Sequence, residues 1–234
     1  MSLLTKKISN LFYSLFPEQC LHCKALLGNG EENLCFSCYS KLPLYQASWV
    51  SPEKNLITEQ LKHRVNQINF AASYFYYEED GIPQTLIHHL KYRGFKNIGK
   101  WIENNFFDAN NTLFFRPMDV IIPVPLHPKK RKERGYNQVD SLCKALSKRW
   151  DIEIDNQSVI RDVYTNSQTQ KSKMGRMNNM KGVFCVNSHQ NFYQKNVLIV
   201  DDVLTTGATI QAIAQEIEEY QPKSINVLVL AIVV

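Results

Sequence analysis

The chain has 234 residues, a mass of 27.1 kDa, a formal net charge of +5 and a pI near 8.8. Apolar residues make up 44% and charged residues 21%, an ordinary globular balance that excludes wholesale disorder. With 9 Gly and 9 Pro, collagen-like and low-complexity architectures are excluded, and no apolar run approaches the roughly 20 residues of a spanning helix.

The first sixteen residues, MSLLTKKISNLFYSLF, make a poor signal peptide, because Lys6, Lys7, Ser9, Asn10 and Ser14 interrupt them. Leu4, Ile8, Leu11, Phe12, Leu15 and Phe16 recur at helical spacing. That predicts a short helix docked on the neighbouring module, with membrane-surface binding as the competing reading. A cytoplasmic protein without stable membrane insertion is expected.

Four of the 6 Cys follow at once. Cys20 and Cys23 form one Cys-x-x-Cys knuckle, and Cys35 and Cys38 form a second, eleven residues further on. Thiols stay reduced in the cytoplasm, and two such knuckles complete a tetrahedral metal site. Four soft thiolates favour Zn²⁺, and a closed shell leaves no position for substrate, so the expected role is structural. Redox chemistry is the alternative. Cys143 and Cys185 lie far away, in helix-like and strand-like apolar patterns, and are expected as buried small hydrophobes.

Residues 46–68 mix Pro, Ser, Lys and Gln and read as a connector between a module at 1–45 and a domain at 69–234. Strands are expected at 70–77, 119–124, 157–163, 182–186, 196–200 and 225–233. Helices are expected at 82–92, 98–107, 137–150 and 208–220. Strands alternating with helices predict an α/β domain with a largely parallel sheet flanked by helices.

The most informative segment is VLIVDDVLTTGATI at 197–210. A buried strand delivers Asp201 and Asp202 to its carboxyl end, where ligands of open α/β sheets sit. Gly207 permits close backbone approach, Thr205, Thr206 and Thr209 offer hydroxyls, and a helix start supplies free N–H groups. The loop suits a phosphate, and the acidic pair suits sugar hydroxyls or Mg²⁺. No Gly-Lys-Ser/Thr follows, so this is not a Walker loop, and one glycine is too few for a dinucleotide fingerprint. A receiver domain needs on the order of 100 more residues, and the chain ends at Val234.

Upstream, a strand ends at Pro123–Pro125, followed by the basic loop Lys129, Lys130, Arg131, Lys132 and Arg134. Arg134, Gly135, Tyr136, Asn137 and Gln138 then lead into a helix. A solvated loop or a nuclear-localisation signal would give the same charge run. Leaving a second strand at the same crevice favours an anion site instead, since Arg forks match phosphate oxygens.

The segment 201–209 resembles the signature of type I phosphoribosyltransferases, which bind 5-phosphoribosyl-1-pyrophosphate (PRPP). The resemblance implies that Asp201 and Asp202 contact the ribose hydroxyls and assist Mg²⁺. It further implies that Val203 and Leu204 join Thr205, Thr206, Gly207, Ala208 and Thr209 in forming the PRPP loop. Pro-Val-Pro-Leu followed by Arg-Gly-Tyr-Asn-Gln, together with the four cysteines, Lys91-Tyr92-Arg93-Gly94 and Gln168, Arg176, Asn179 and Phe184, resembles the ComF family of competence-associated proteins. In the insert TNSQTQKSKMGRMNNM either Gln168 or Gln170 matches the family position.

The fold implied is type I phosphoribosyltransferase-like behind a zinc module. Two readings of activity stay open. In the first, a phosphoribosyltransferase passes the pentosyl group to an unidentified acceptor. Asp201, Asp202, Lys91, Arg131 and Arg134 then form the catalytic set, and Arg134 to Gln138 help bind PRPP. The segment 164–180 closes over the site, bringing Lys171, Lys173 and Arg176 to the pyrophosphate; a solvated hairpin tip is the alternative. In the second, a PRPP-sensing protein of natural transformation binds single-stranded DNA through Lys129, Lys130, Arg131 and Lys132, with Tyr136 for stacking. DNA-uptake or recombination proteins would be its partners.

Overall fold

The computed structural model describes residues 18–92, 97–106, 117–161, 182–186 and 192–233. A five-stranded sheet organises them, in the order β1-β7-β6-β2-β3. Its strands are β1 (Ile68–Tyr76), β2 (Val120–Pro123), β3 (Glu153–Ile154), β6 (Asn196–Leu204) and β7 (Ser224–Ile232), and every pairing is parallel. A separate antiparallel pair joins β4 (Val159–Arg161) to β5 (Phe184–Val186).

Alternation along the strands fills two cores. Leu198 and Val200 of β6 and Leu228 and Leu230 of β7 face helices α4 (Ile82–Tyr92), α5 (Ile98–Phe106) and α7 (Asp140–Trp150). Val197, Ile199, Val227 and Val229 face the other way, towards α3 (Leu56–Lys62), α8 (Ala208–Glu218) and the β4–β5 pair. Both faces of the sheet are therefore covered, as parallel sheets require. Across α5 and α7, Glu103 is buried and ion-paired with Arg149.

The segment expected as a connector is folded. Helix α2 (Ala47–Val50) and α3 pack on β1. Asn55 caps α3, accepting from the N–H groups of Ile57 and Thr58, while its amide donates to the carbonyl of Ala71 at 2.8 Å. Ser48 accepts from the N–H of Ser73 on the same strand at 2.9 Å. Polar residues that read as a linker thus satisfy backbone groups at the edge of β1.

The cysteine module shares the first core. Cys20, Leu21, Leu34, Cys35, Cys38 and Leu42 belong to one buried cluster with Tyr74, Leu86 and Trp101. Tyr39, at the end of α1 (Phe36–Tyr39), stacks on Phe106 with ring centroids 5.5 Å apart. Cys143 is buried as expected, but Cys185 is only half-buried, because the short β4–β5 pair leaves one face open. Among the described residues no helix is long and apolar enough to cross a membrane.

Candidate functional site

Parallel strands bring the carboxyl ends of β2 and β6 to one edge, side by side in the sheet. On β6 the strand runs past the acidic pair to Leu204, so Asp201 and Asp202 are held in the ladder rather than in a loop. Both are buried, at 9% and 6% exposure. Burial and the neighbouring charge of Asp202 push the Asp201 carboxyl well above the usual carboxylate range; the N–H of Asp202 and the ammonium of Lys91 pull against this. Lys91, in the last turn of α4, places Nζ 2.6 Å from Oδ2 of Asp202. On the other side, Arg161 of β4 lies over the Phe184 ring, 5.5 Å from its centroid. Burial lowers the Arg161 pKa, and the charge of Asp201 raises it, so the two groups feel each other. The acidic pair is thus addressed by a cation from each layer of the domain.

After β6 the chain turns through Thr205, Thr206 and Gly207 into α8. Gly207 is the N-cap at φ 74°, a left-handed conformation that side chains resist. Its carbonyl accepts the first helical bond from Gln211 at 2.8 Å. Behind the loop stands Arg64, whose Nη1 donates to the carbonyl of Thr206 at 2.6 Å. Arg64 escaped the sequence reading, because nothing local marks a cation that acts 142 residues away.

The basic loop is a helix. Pro128–Arg134 forms α6, with Pro128 in its first turn and the His127 ring accepting from the N–H of Lys129 at 3.2 Å. Gly135, at φ 73°, ends it by donating its N–H to the carbonyl of Arg131. Pro and Gly at those two positions were the available signal. Lys129, Lys130, Arg131 and Lys132 are exposed. Arg134 is half-buried, with Nη1 3.1 Å from Oε1 of Gln138 and its guanidinium 4.9 Å from the Tyr92 ring centroid. Tyr136 donates its hydroxyl to the carbonyl of Leu90 at 2.6 Å, tying this segment to α4 just before Lys91. Asn137 donates to the carbonyl of Val124 at 2.8 Å, fixing the exit from β2. A cleft of about 220 Å³ opens here, walled by Pro123, Pro125, Arg131, Tyr136, Asn137 and Lys144.

Across the domain, the sulfur atoms of Cys20, Cys23, Cys35 and Cys38 all lie within 4.8 Å of one another. A tetrahedral shell with bonds of about 2.3 Å spaces its sulfurs about 3.8 Å apart, so the cluster fits one metal ion. Burial disfavours the Cys20 thiolate, but the backbone N–H groups of Cys35, Cys23 and His22 outweigh it and bring the thiol to about 6. Burial and hydrogen bonding with the other three cysteines raise Cys38. His22, inside the first knuckle, is not in the cluster; its Nδ1 lies 3.0 Å from Oγ1 of Thr85 on α4.

Arg93, Gly94, Gln168, Gln170, Lys171, Lys173, Arg176 and Asn179 lie outside the described residues. Phe184 is described, and is a buried core residue beneath Arg161.

A family profile described as a phosphoribosyl transferase domain matches residues 135–232. Competence protein F of Haemophilus influenzae is 28% identical over 228 residues, covering 93% of this chain and 98% of that protein. Competence protein ComFC of Bacillus subtilis is 26% identical, covering 79% of this chain and 78% of that protein. The DNA utilization protein YhgH of Escherichia coli K12 is 33% identical over 134 residues, where the match spans 58% of that protein's length. A largely parallel sheet carrying a phosphoribosyl transferase domain match, a four-cysteine cluster packed on it and a match running almost the full length of Competence protein F make this chain similar to the ComF competence proteins.

Proposed function

We propose that this protein serves natural competence, as the names of its relatives indicate for them, through a PRPP-binding domain at 69–234 stabilised by a zinc module at 1–45. One observation carries the PRPP reading. Two buried carboxylates stand beside a Thr-Gly loop, and Lys91 is already ion-paired to one of them at 2.6 Å. A buried acidic pair is costly unless cations or a ligand's hydroxyls compensate it. Ribose hydroxyls and Mg²⁺ would occupy Asp201 and Asp202, and the loop 205–209 would hold the 5′-phosphate. Lys91, displaced from Asp202, would then turn to the pyrophosphate with Arg131 and Arg134.

In a transfer reaction a nucleophile bonds to C1′ as its bond to the pyrophosphate oxygen breaks, and the electron pair leaves with the pyrophosphate. The chain's contribution is positioning and stabilisation of that departing charge. Mg²⁺, when bound with PRPP, neutralises the phosphates. Zn²⁺ suits the four thiolates and would supply folding energy to a module too small for its own core. Those thiols suit a reducing compartment, and we place the protein in the cytoplasm.

Calorimetry with PRPP and Mg²⁺ tests the reading. Binding is expected in the wild type and is expected to be lost in Asp201→Asn and Asp202→Asn. Pyrophosphate release across a nucleobase and amine panel then tests turnover, and transformation frequency of the same variants tests the role in competence. Chelation at neutral pH should release one zinc per chain and expose Trp101 and Phe106 to solvent, read by fluorescence. Zinc-free protein with unchanged spectra would refute the structural metal.

A second reading rests on Lys129, Lys130, Arg131 and Lys132, exposed together on α6 beside the cleft. These cations suit the phosphates of single-stranded DNA, with PRPP as a regulatory ligand rather than a substrate. Tyr136, tied to Leu90, is a poor stacking platform, whereas Tyr92 is 64% exposed at the same edge.

A further inference from the structure

We propose that Arg64 is a positioning residue for the phosphate loop, acting from α3 to fix the orientation of the peptide between Thr206 and Gly207. The inference rests on the reading of 205–209 as a 5′-phosphate site, and deepens it.

The argument begins with the peptide unit. In a trans peptide the carbonyl and the following N–H point in opposite directions, and the chain has no cis bonds among the described residues. Arg64 Nη1 holds the Thr206 carbonyl at 2.6 Å. The N–H of Gly207 is therefore directed away from Arg64 and towards the open side of the loop. The same contact removes a carbonyl dipole from the space where an anion would sit. Gly207 follows in the left-handed region at φ 74°, the geometry in which successive N–H groups form an anion-binding concavity. Turning this one peptide over would replace an N–H with a carbonyl oxygen at the ligand.

The support behind Arg64 is rigid. Arg64 closes the end of α3, where its N–H donates to the carbonyl of Leu61 at 2.9 Å. Leu61 is buried at 1% exposure, and its Cδ2 would lie 3.1 Å from a Cβ built on Gly207; Arg64 Nη1 would lie 3.6 Å from it. The loop thus rests directly on Leu61 and Arg64. α3 is itself anchored to β1 through Asn55 and Thr58, which bond the Ala71 backbone. The guanidinium carries five donors in a fixed fork, so it holds the carbonyl while keeping a positive charge behind the loop. The neighbouring cation Lys62 points elsewhere, donating to the carbonyl of Glu53 at 2.9 Å.

The test compares wild type, Arg64→Ala and Arg64→Lys by calorimetry with three probes, each with Mg²⁺: PRPP, ribose 5-phosphate and pyrophosphate. A charged hydrogen bond lost from a preorganised site predicts about tenfold or more loss of affinity. That loss is expected for PRPP and ribose 5-phosphate in Arg64→Ala, with pyrophosphate affinity unchanged. Arg64→Lys is expected to recover part of it, because an ammonium can still donate to the Thr206 carbonyl. Amide exchange at 205–210 should quicken in the unliganded Ala variant while β7 stays protected. Wild-type affinity for PRPP in Arg64→Ala would overturn the inference, as would an equal fall for all three probes, which marks general loosening. A wild type that binds neither PRPP nor ribose 5-phosphate would instead overturn the phosphate-loop reading itself, and this inference with it.

Discussion

The carboxyl end of β6 and the helix α6, which follows the neighbouring parallel strand β2, are built in opposite ways. The acidic pair is buried, and its surroundings come from distant elements: Lys91 of α4, Arg161 of β4 and Arg64 after α3. Helix α6 is held by its own caps, His127 and Gly135, and its first four cations are exposed. A charge in the first region acts in a low dielectric, where an orphaned partner is costly. A charge in the second is screened, and contributes little to stability. The first region is suited to discriminating a ligand, the second to attracting one.

The sharpest test of that contrast is Lys91→Ala. Breaking a buried pair costs about 3–5 kcal/mol; Lys91 is 24% exposed, so solvent screening brings the cost below that range, to about 2–3 kcal/mol. Denaturant unfolding should show this loss in the single variant and much less of it in the Asp202→Asn background, since Asn leaves no charge to orphan. Equal losses in both backgrounds would make Lys91 a packing residue. Next comes Gly207→Ala, where φ 74° and the tight approach of Leu61 together cost about 1–2 kcal/mol. The same thermal or denaturant measurement checks it, and PRPP affinity should fall with it.

Asp201→Asn should move stability the other way. Burial and Asp202 raise the Asp201 pKa in the fold above its unfolded value. Such a group gives its full stability below the unfolded pKa and loses it as pH rises towards the folded one. At pH 8 the Asn variant is therefore expected to be more stable than the wild type. Below pH 4 the difference should vanish. PRPP binding should also strengthen with pH in the wild type, as Asp201 loses its proton, and be nearly absent from the variant. A variant less stable at pH 8 would mean that Asp201 is already compensated as an anion.

What the sequence disclosed follows the same division. Asp201 and Asp202, Gly207 and the two Cys-x-x-Cys knuckles carry their chemistry in short contiguous motifs, so spacing alone located them. Lys91 reached its place through a family pattern, and the structure sets it on Asp202 at 2.6 Å. Arg64 and Arg161 were invisible because their roles exist only once α3 and β4 have packed on the sheet. Residues 46–68 looked like a linker for a related reason. Asn55, Thr58 and Ser48 are polar, yet they are buried, because each meets a backbone group of β1. Helix α6 was missed although Pro128 and Gly135 stand where a short helix would begin and end, because five cations within six residues outweighed two caps.

The smallest expected change in stability belongs to α6. Replacing Lys129, Lys130 and Lys132 with Gln removes three exposed charges and no described tertiary contact, so unfolding should shift by no more than about 0.5 kcal/mol. PRPP affinity at high salt should be unaffected. If α6 engages single-stranded DNA, the dependence of affinity on salt should flatten, by about 0.7 in the logarithmic slope for each phosphate contact removed. An unchanged slope would confine the role of these cations to solubility and return the anion chemistry of this edge to Arg131 and Arg134. A large loss of stability would be more damaging still, since it would mean that α6 is held by its charges and that the contrast between a built site and a solvated one is mistaken.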